Sequence, residues 1–126
     1  MSARAGRLRR AVILAAGRGS RLGVLTDGLA KACQPLGDGD LLGRQCAQLA
    51  ARGVDDITVV VGYGAESVVQ RHPRVRAVRN LRWSTTGSGV SLLCARPWFA
   101  CAEPVLLSHG DLAYADDVLD GLLAAA

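Results

Sequence analysis

The 126 residues, 50% hydrophobic and 21% charged, suit one α/β domain and are too few for two separate cores. The net charge of +4 does not mark a nucleic-acid binder. Arg4, Arg7, Arg9 and Arg10 cluster ahead of the first apolar run, and the two tryptophans, two tyrosines and one phenylalanine do not alternate with basic residues as stacking platforms would. Residues 1–10 read as a basic, flexible arm. The apolar stretch behind it is broken at Arg18, short of a secretory h-region, and no stretch reaches membrane-spanning length. The expectation is a cytoplasmic protein without membrane insertion and without a nucleic-acid partner.

In chain order, Ala11 to Ala16 is a short, uncharged, β-branched run and predicts a buried strand. Asp38-Gly39-Asp40 then breaks the pattern. Leu42, Cys46, Leu49 and Ala50 recur at helical spacing until Gly53, so a helix packs there on the sheet. Ile57 to Val61 predicts a second buried strand closed by Gly62-Tyr63-Gly64, and Glu66 to Arg71 a short helix ended by Pro73. Val75 to Arg79 alternates and predicts a third strand, nearer an edge. Asn80 to Gly89 is polar and reads as a loop, followed by helical spacing from Val90 to Ala95. Pro104 to Leu107 predicts a fourth strand running into Ser108-His109-Gly110-Asp111, and a last helix runs from Asp116 to about Leu123. Alternating strands and helices imply right-handed crossovers and a mostly parallel sheet. In such sheets the ligand crevice lies beyond the carboxyl ends of the strands, where the loops after the first, third and fourth strands should meet.

The most informative of these loops is the first, Gly17-Arg18-Gly19-Ser20-Arg21. Glycines let backbone N–H groups approach an anion closely, and arginine guanidiniums offer forked hydrogen bonds to phosphate oxygens. Lys31 follows as the one lysine among fifteen basic residues, a compact charge able to follow a moving phosphoryl group. The loop fits neither of its common lookalikes. A dinucleotide fold needs an acidic residue closing the second strand, where this chain has Gly62-Tyr63-Gly64, and a P-loop needs Gly-Lys-Ser/Thr, whereas Lys31 stands between alanines.

Cys33, Cys46, Cys94 and Cys101 match no metal-ligand spacing and read as small buried hydrophobes in a reducing compartment. His109 reads as a loop histidine in a structural hydrogen bond, with general-base chemistry as the alternative. His72 has no partner in view. Asp116 and Asp117 offer a second carboxylate, but at a helix start they read as capping acids.

The stretch Leu14-Ala15-Ala16-Gly17-Arg18-Gly19-Ser20-Arg21-Leu22, with Thr26, Lys31 and Pro35-Leu36, resembles the N-terminal signature of the nucleotidyltransferase superfamily. Val59 to Tyr63, Asn80, Trp83, Thr86, Ser91-Leu92 and Gly110-Asp111 look most like its phosphocholine and inositol-phosphate cytidylyltransferase branch. The resemblance implies a Rossmann-like three-layer α/β/α fold with a mostly parallel sheet, of which residues 1–126 form the single N-terminal part while the family's C-terminal half is absent. It implies transfer of a nucleoside monophosphate from an NTP, with CTP favoured and UTP the alternative, to a phosphorylated sugar or alcohol, releasing pyrophosphate. Leu14, Ala15, Ala16 and Gly17 would present backbone to base and ribose, while Gly19, Ser20 and Arg21 wrap the triphosphate; Arg18 joins the substrate-binding set through its guanidinium. Lys31 would reach the transferring phosphate, Asp111 would hold Mg²⁺, and Gly87, Ser88 and Gly89 would line the base or acceptor side. Arg21, Lys31 and Asp111 are the expected catalytic residues. Two departures stand out: Ala30 replaces the usual proline before the lysine, and Ser88 an asparagine common in that branch. A catalytically incomplete nucleotide-binding or partner-binding module is the alternative, and a homo-oligomer is left open.

Overall fold

The structure is a computed structural model, and it describes residues 8–17 and 29–125. Six strands and four α-helices are described: β1 (Arg10–Ala15), β2 (Pro35–Leu36), β3 (Gly39–Asp40), α1 (Leu41–Ala50), β4 (Asp56–Val61), α2 (Ala65–Arg71), β5 (Arg76–Arg79), α3 (Ser88–Cys94), β6 (Val105–His109) and α4 (Asp116–Ala125). The main sheet has the order β5-β4-β1-β6 and every pairing in it is parallel. The small β2-β3 pair is antiparallel.

Strand periodicity sorts the central residues between two faces. Ala11 and Ile13 of β1 and Ile57, Val59 and Val61 of β4 pack with Leu42 and Leu49 of α1, Val68 of α2 and Leu119 of α4. Val12, Leu14 and Val60 turn the other way, onto Ala95, Trp83, Trp98 and Phe99 around the end of α3. Helices therefore cover both faces of the sheet, and the expected three-layer architecture holds. Both central strands are continuous apolar runs because neither face meets water.

Most predicted elements are present with ends shifted by a residue or two. The largest difference is α3, which begins at Ser88 instead of Val90. The low helix propensity of Gly89 is overruled by tertiary anchoring: buried Asn80 donates from Nδ2 to Ser91 Oγ at 3.0 Å and to Thr86 Oγ1 at 3.1 Å. The fourth strand also runs on to His109, so that histidine ends a strand. The cysteine reading needs a correction at one position: Cys33 is buried, Cys46 and Cys94 are half-buried, but Cys101 is exposed, because it follows the helical layer in a surface turn. Burial and the neighbouring Asp40 carboxylate push the Cys46 thiol up to about 11.

At the amino ends of the strands Asp56 joins three of them. Its carboxylate accepts from Arg10 Nε at 2.9 Å and from Arg76 Nη1 at 3.0 Å, and Arg76 also lies 5.3 Å from the Trp98 ring centroid. Burial alone would lift this carboxyl, but the hydrogen bonds from Arg76 and Arg10 and their charges outweigh it and hold the carboxyl below its ordinary value. A depressed carboxyl stabilises the fold above the unfolded pKa and loses that contribution as pH falls through the folded value. Asp56→Asn should therefore cost about 1 kcal/mol in chemical denaturation at pH 7, after allowing for partial solvent screening. The gap between variant and wild type should stay level above about pH 5 and close at lower pH.

Candidate active site

The carboxyl ends of β1 and β6 open into a cleft of about 240 Å³. Leu14, Ala15, Ala16 and Gly17 form its floor from the end of β1 onward. Lys31 and Ala32 enter from the following turn, Trp83, Thr86, Gly87, Ser88 and Ser91 from the segment leading into α3, and His109 and Asp111 from the end of β6. The three loops expected to meet do meet.

Lys31 owes its position to its neighbours. Ala30, Ala32 and Cys33 are buried, so the short 3-10 turn Lys31–Cys33 is clamped on both sides and only the lysine side chain can leave it. The clamp comes from α2: the Ala30 amide donates to Ser67 Oγ at 3.2 Å, and that hydroxyl donates to the Gly64 carbonyl at 2.6 Å. Lys31 Nζ then lies 3.0 Å from Asp111 Oδ2, with both side chains about one third exposed. Asp111 reaches this point because Gly110 fits closely under the sheet. The Gly110 amide donates to the Leu14 carbonyl at 2.9 Å, and a Cβ there would stand 2.9 Å from Ala32 Cβ and 3.1 Å from Ala15 Cβ.

The structure brings together Leu14, Ala15, Ala16, Gly17, Lys31, Gly87, Ser88 and Asp111 of the expected set. Gly89 falls within the first turn of α3, beside the cleft-lining residues. Arg18, Gly19, Ser20, Arg21 and Thr26 lie outside the described residues. Asp116 and Asp117 occupy the first turn of α4, where Asp116 accepts from Gln48 Nε2 at 2.9 Å and lies 3.6 Å from Arg52. His72, without a visible partner in the sequence, lies 2.9 Å through Nε2 from Asp40 Oδ2, while Asp40 Oδ1 caps α1 through the Gly43 amide at 2.7 Å. Among the missed residues, Trp83 walls the cleft and packs edge-on against Tyr63 at 5.2 Å between ring centroids. In the sequence Trp83 carries part of the family resemblance, but nothing there assigns it a place in the site.

A lysine and a carboxylate at the mouth of a cleft floored by main chain offer complementary contacts to a polyphosphate and to a divalent cation. Mg²⁺ takes one or two carboxylates and completes its octahedron with phosphate oxygens and water. Asp111 fits that requirement: it is the one acidic residue among the described lining residues, and about a third of its side chain is accessible.

Fold and cleft together are those of an α/β protein whose site lies beyond the strand ends of a doubly covered parallel sheet. Residues 11–126 match the MobA-like NTP transferase domain, and the chain belongs to that family. It is 35% identical over 101 residues to bifunctional protein GlmU of Acidithiobacillus ferrooxidans, a match covering 80% of this chain and 22% of that protein. It is 34% identical over 122 residues to CMP-5'-(3-aminopropyl)phosphonate synthase of Streptomyces rubellomurinus, covering 92% of this chain and 19% of that protein. The chain thus spans about a fifth of the length of these curated relatives. Among solved structures, CTP:phosphocholine cytidylyltransferase from Streptococcus pneumoniae superposes with a TM-score of 0.68 at 31% identity, covering 79% of this chain and 43% of that one. A nucleotidyl transferase from Methanothermobacter thermautotrophicus gives 0.72 at 29% identity, with 94% and 57% covered.

Proposed function

We propose that this chain binds a nucleoside triphosphate in the cleft and serves transfer of its nucleoside monophosphate to a phosphorylated sugar or alcohol. The observation that carries the reading is the convergence of the Leu14 to Gly17 main chain, Lys31 and Asp111 at one crevice. CTP is the favoured donor and UTP the alternative, a preference supported by the cytidylyltransferase among the structural neighbours and the CMP-forming enzyme among the relatives.

A phosphate oxygen of the acceptor attacks the α-phosphorus, a new P–O bond forms in line, the α–β bridging bond breaks and pyrophosphate leaves. No covalent nucleophile is needed, so positioning and charge neutralisation carry the catalysis. Before substrate arrives, Lys31 and Asp111 neutralise each other. Nucleotide binding separates them: the ammonium turns to the phosphates, and the Asp111 carboxylate would hold Mg²⁺, which would supply positive charge to offset the phosphates. Arg18 and Arg21, outside the described residues, would add guanidinium contacts to phosphate oxygens on this reading. Trp83 and the Thr86 to Ser88 segment bound the base or acceptor side.

A single carboxylate among the described lining residues favours a second reading, in which this chain binds nucleotide without turning it over. Pyrophosphate release with CTP or UTP across a panel of phosphorylated alcohols and sugar phosphates, alongside calorimetric titration of each NTP, separates the two. Turnover above the no-protein blank supports transfer. Binding with no turnover for any acceptor supports the module, and absence of both rejects the cleft as a nucleotide site.

A further inference from the structure

Gln45 sits in the middle of α1, fully buried, on the helix face turned toward the end of β6. Its Nε2 donates to two main-chain carbonyls, those of His109 and Leu112, each at 2.8 Å, and its Oε1 accepts from Ser108 Oγ at 3.0 Å. The amide orientation follows from chemistry, because two carbonyl oxygens can only accept and must face the NH₂ group. Both donors are therefore spent on the turn that carries Asp111 between its two anchor points. A hydrocarbon side chain would fill the same space at lower desolvation cost but would take the Gln45 donor from both carbonyls and leave the Ser108 hydroxyl only its 3.4 Å contact with the His109 carbonyl.

We infer that Gln45 is a positioning residue: it clamps the 109–112 turn so that the Asp111 carboxylate faces the cleft. The inference rests on the nucleotidyl-transfer reading for its functional consequence, and on geometry alone for the clamp. Gly110 fixes the turn to β1 through the Leu14 carbonyl, and Gln45 fixes it to α1, so the chain on either side of Asp111 is held from two layers. Gln48, one turn further along α1, makes a comparable pair of bonds, from Nε2 to the Tyr114 carbonyl and to Asp116 Oδ1, each at 2.9 Å. Those bonds lie beyond the Asp111 turn, so Gln48 is an internal control for loss of a buried amide that touches no part of the clamp.

The test compares Gln45→Met, Ser108→Ala and Gln48→Met in the full chain. Gln45→Met should raise the Mg²⁺ concentration for half-maximal pyrophosphate release about 10-fold, the lower end of what loss of an outer-shell partner costs a metal site. Its affinity for NTP measured in EDTA should stay within about twofold, because the glycine loop and Lys31 are untouched. Ser108→Ala, which removes one bond of three, should shift the Mg²⁺ requirement the same way by roughly threefold and guards against a Gln45 variant that fails to fold. Gln48→Met should leave it unchanged. Hydrogen exchange of the 109–113 segment in the metal-free protein should be about 10-fold faster in Gln45→Met than in Gln48→Met. Equal Mg²⁺ requirements and equal exchange in the two variants overturn the inference. Should wild type turn over no substrate, the transfer reading fails, and exchange alone then decides the clamp.

Discussion

Lys31→Ala is expected to lower pyrophosphate release by at least about 100-fold while changing stability by no more than roughly 0.5 kcal/mol. The two magnitudes separate function from structure. The ion pair to Asp111 is 3.0 Å long but both side chains are partly solvated, so losing it matters little to the fold. On the proposed mechanism the ammonium acts in the nucleotide complex, where negative charge develops on the transferred group. Asp111→Asn should have a comparable effect on turnover with affinity for metal-free nucleotide retained, because its share of the charge balance is the cation. The double variant should be little worse than either single one, since each already disables the same unit. Steady-state kinetics with a parallel urea titration checks all three.

Gly64→Ala is the second large effect, and it acts on the fold and on the site together. Gly64 has φ of +67°, a conformation costing a side chain about 1 kcal/mol, and its added methyl would collide with the Ala30 amide nitrogen and stand 2.8 Å from the Leu29 carbonyl carbon. The collision is with backbone, so no rotamer relieves it. The expected loss is about 3 kcal/mol in denaturant midpoint analysis. Because the obstructed segment leads directly into Lys31, surviving folded protein should also bind NTP more weakly. Wild-type stability in this variant would contradict the packing of α2 against the Lys31 turn.

How much of this was legible in the sequence follows from what each signal depends on. β1 and β4 announce themselves because strands buried on both faces are unbroken apolar runs. α1 was legible through its apolar stripe, and the ligand crevice followed from strand-helix alternation alone. Lys31 and Asp111 were legible as chemistry, one as an isolated lysine and the other through its Gly110 neighbour. Their 3.0 Å contact was not, because it depends on how two loops eighty residues apart are propped. Gln45 left no trace: a glutamine among apolar helix positions reads as a surface residue until the carbonyls it serves, more than sixty residues away, are in place. The Asp40 and His72 pair is hidden for the same reason, its members standing thirty-two residues apart. α3 starts two residues before the sequence pattern because glycine and serine favour a loop locally, whereas the buried Asn80 network ties Ser91 into the helix.

One crevice, at the carboxyl ends of β1 and β6, is proposed to receive the polyphosphate of a nucleotide. Its most direct test is a titration of ¹⁵N-labelled protein with CTP and Mg²⁺ followed by amide chemical shifts. The largest changes are expected at Ala15, Ala16, Gly17, Lys31, Ser88 and Asp111. Changes centred instead on Arg9, Asp55, Asp56 and Glu103, which line a cleft at the opposite ends of the strands, would contradict it.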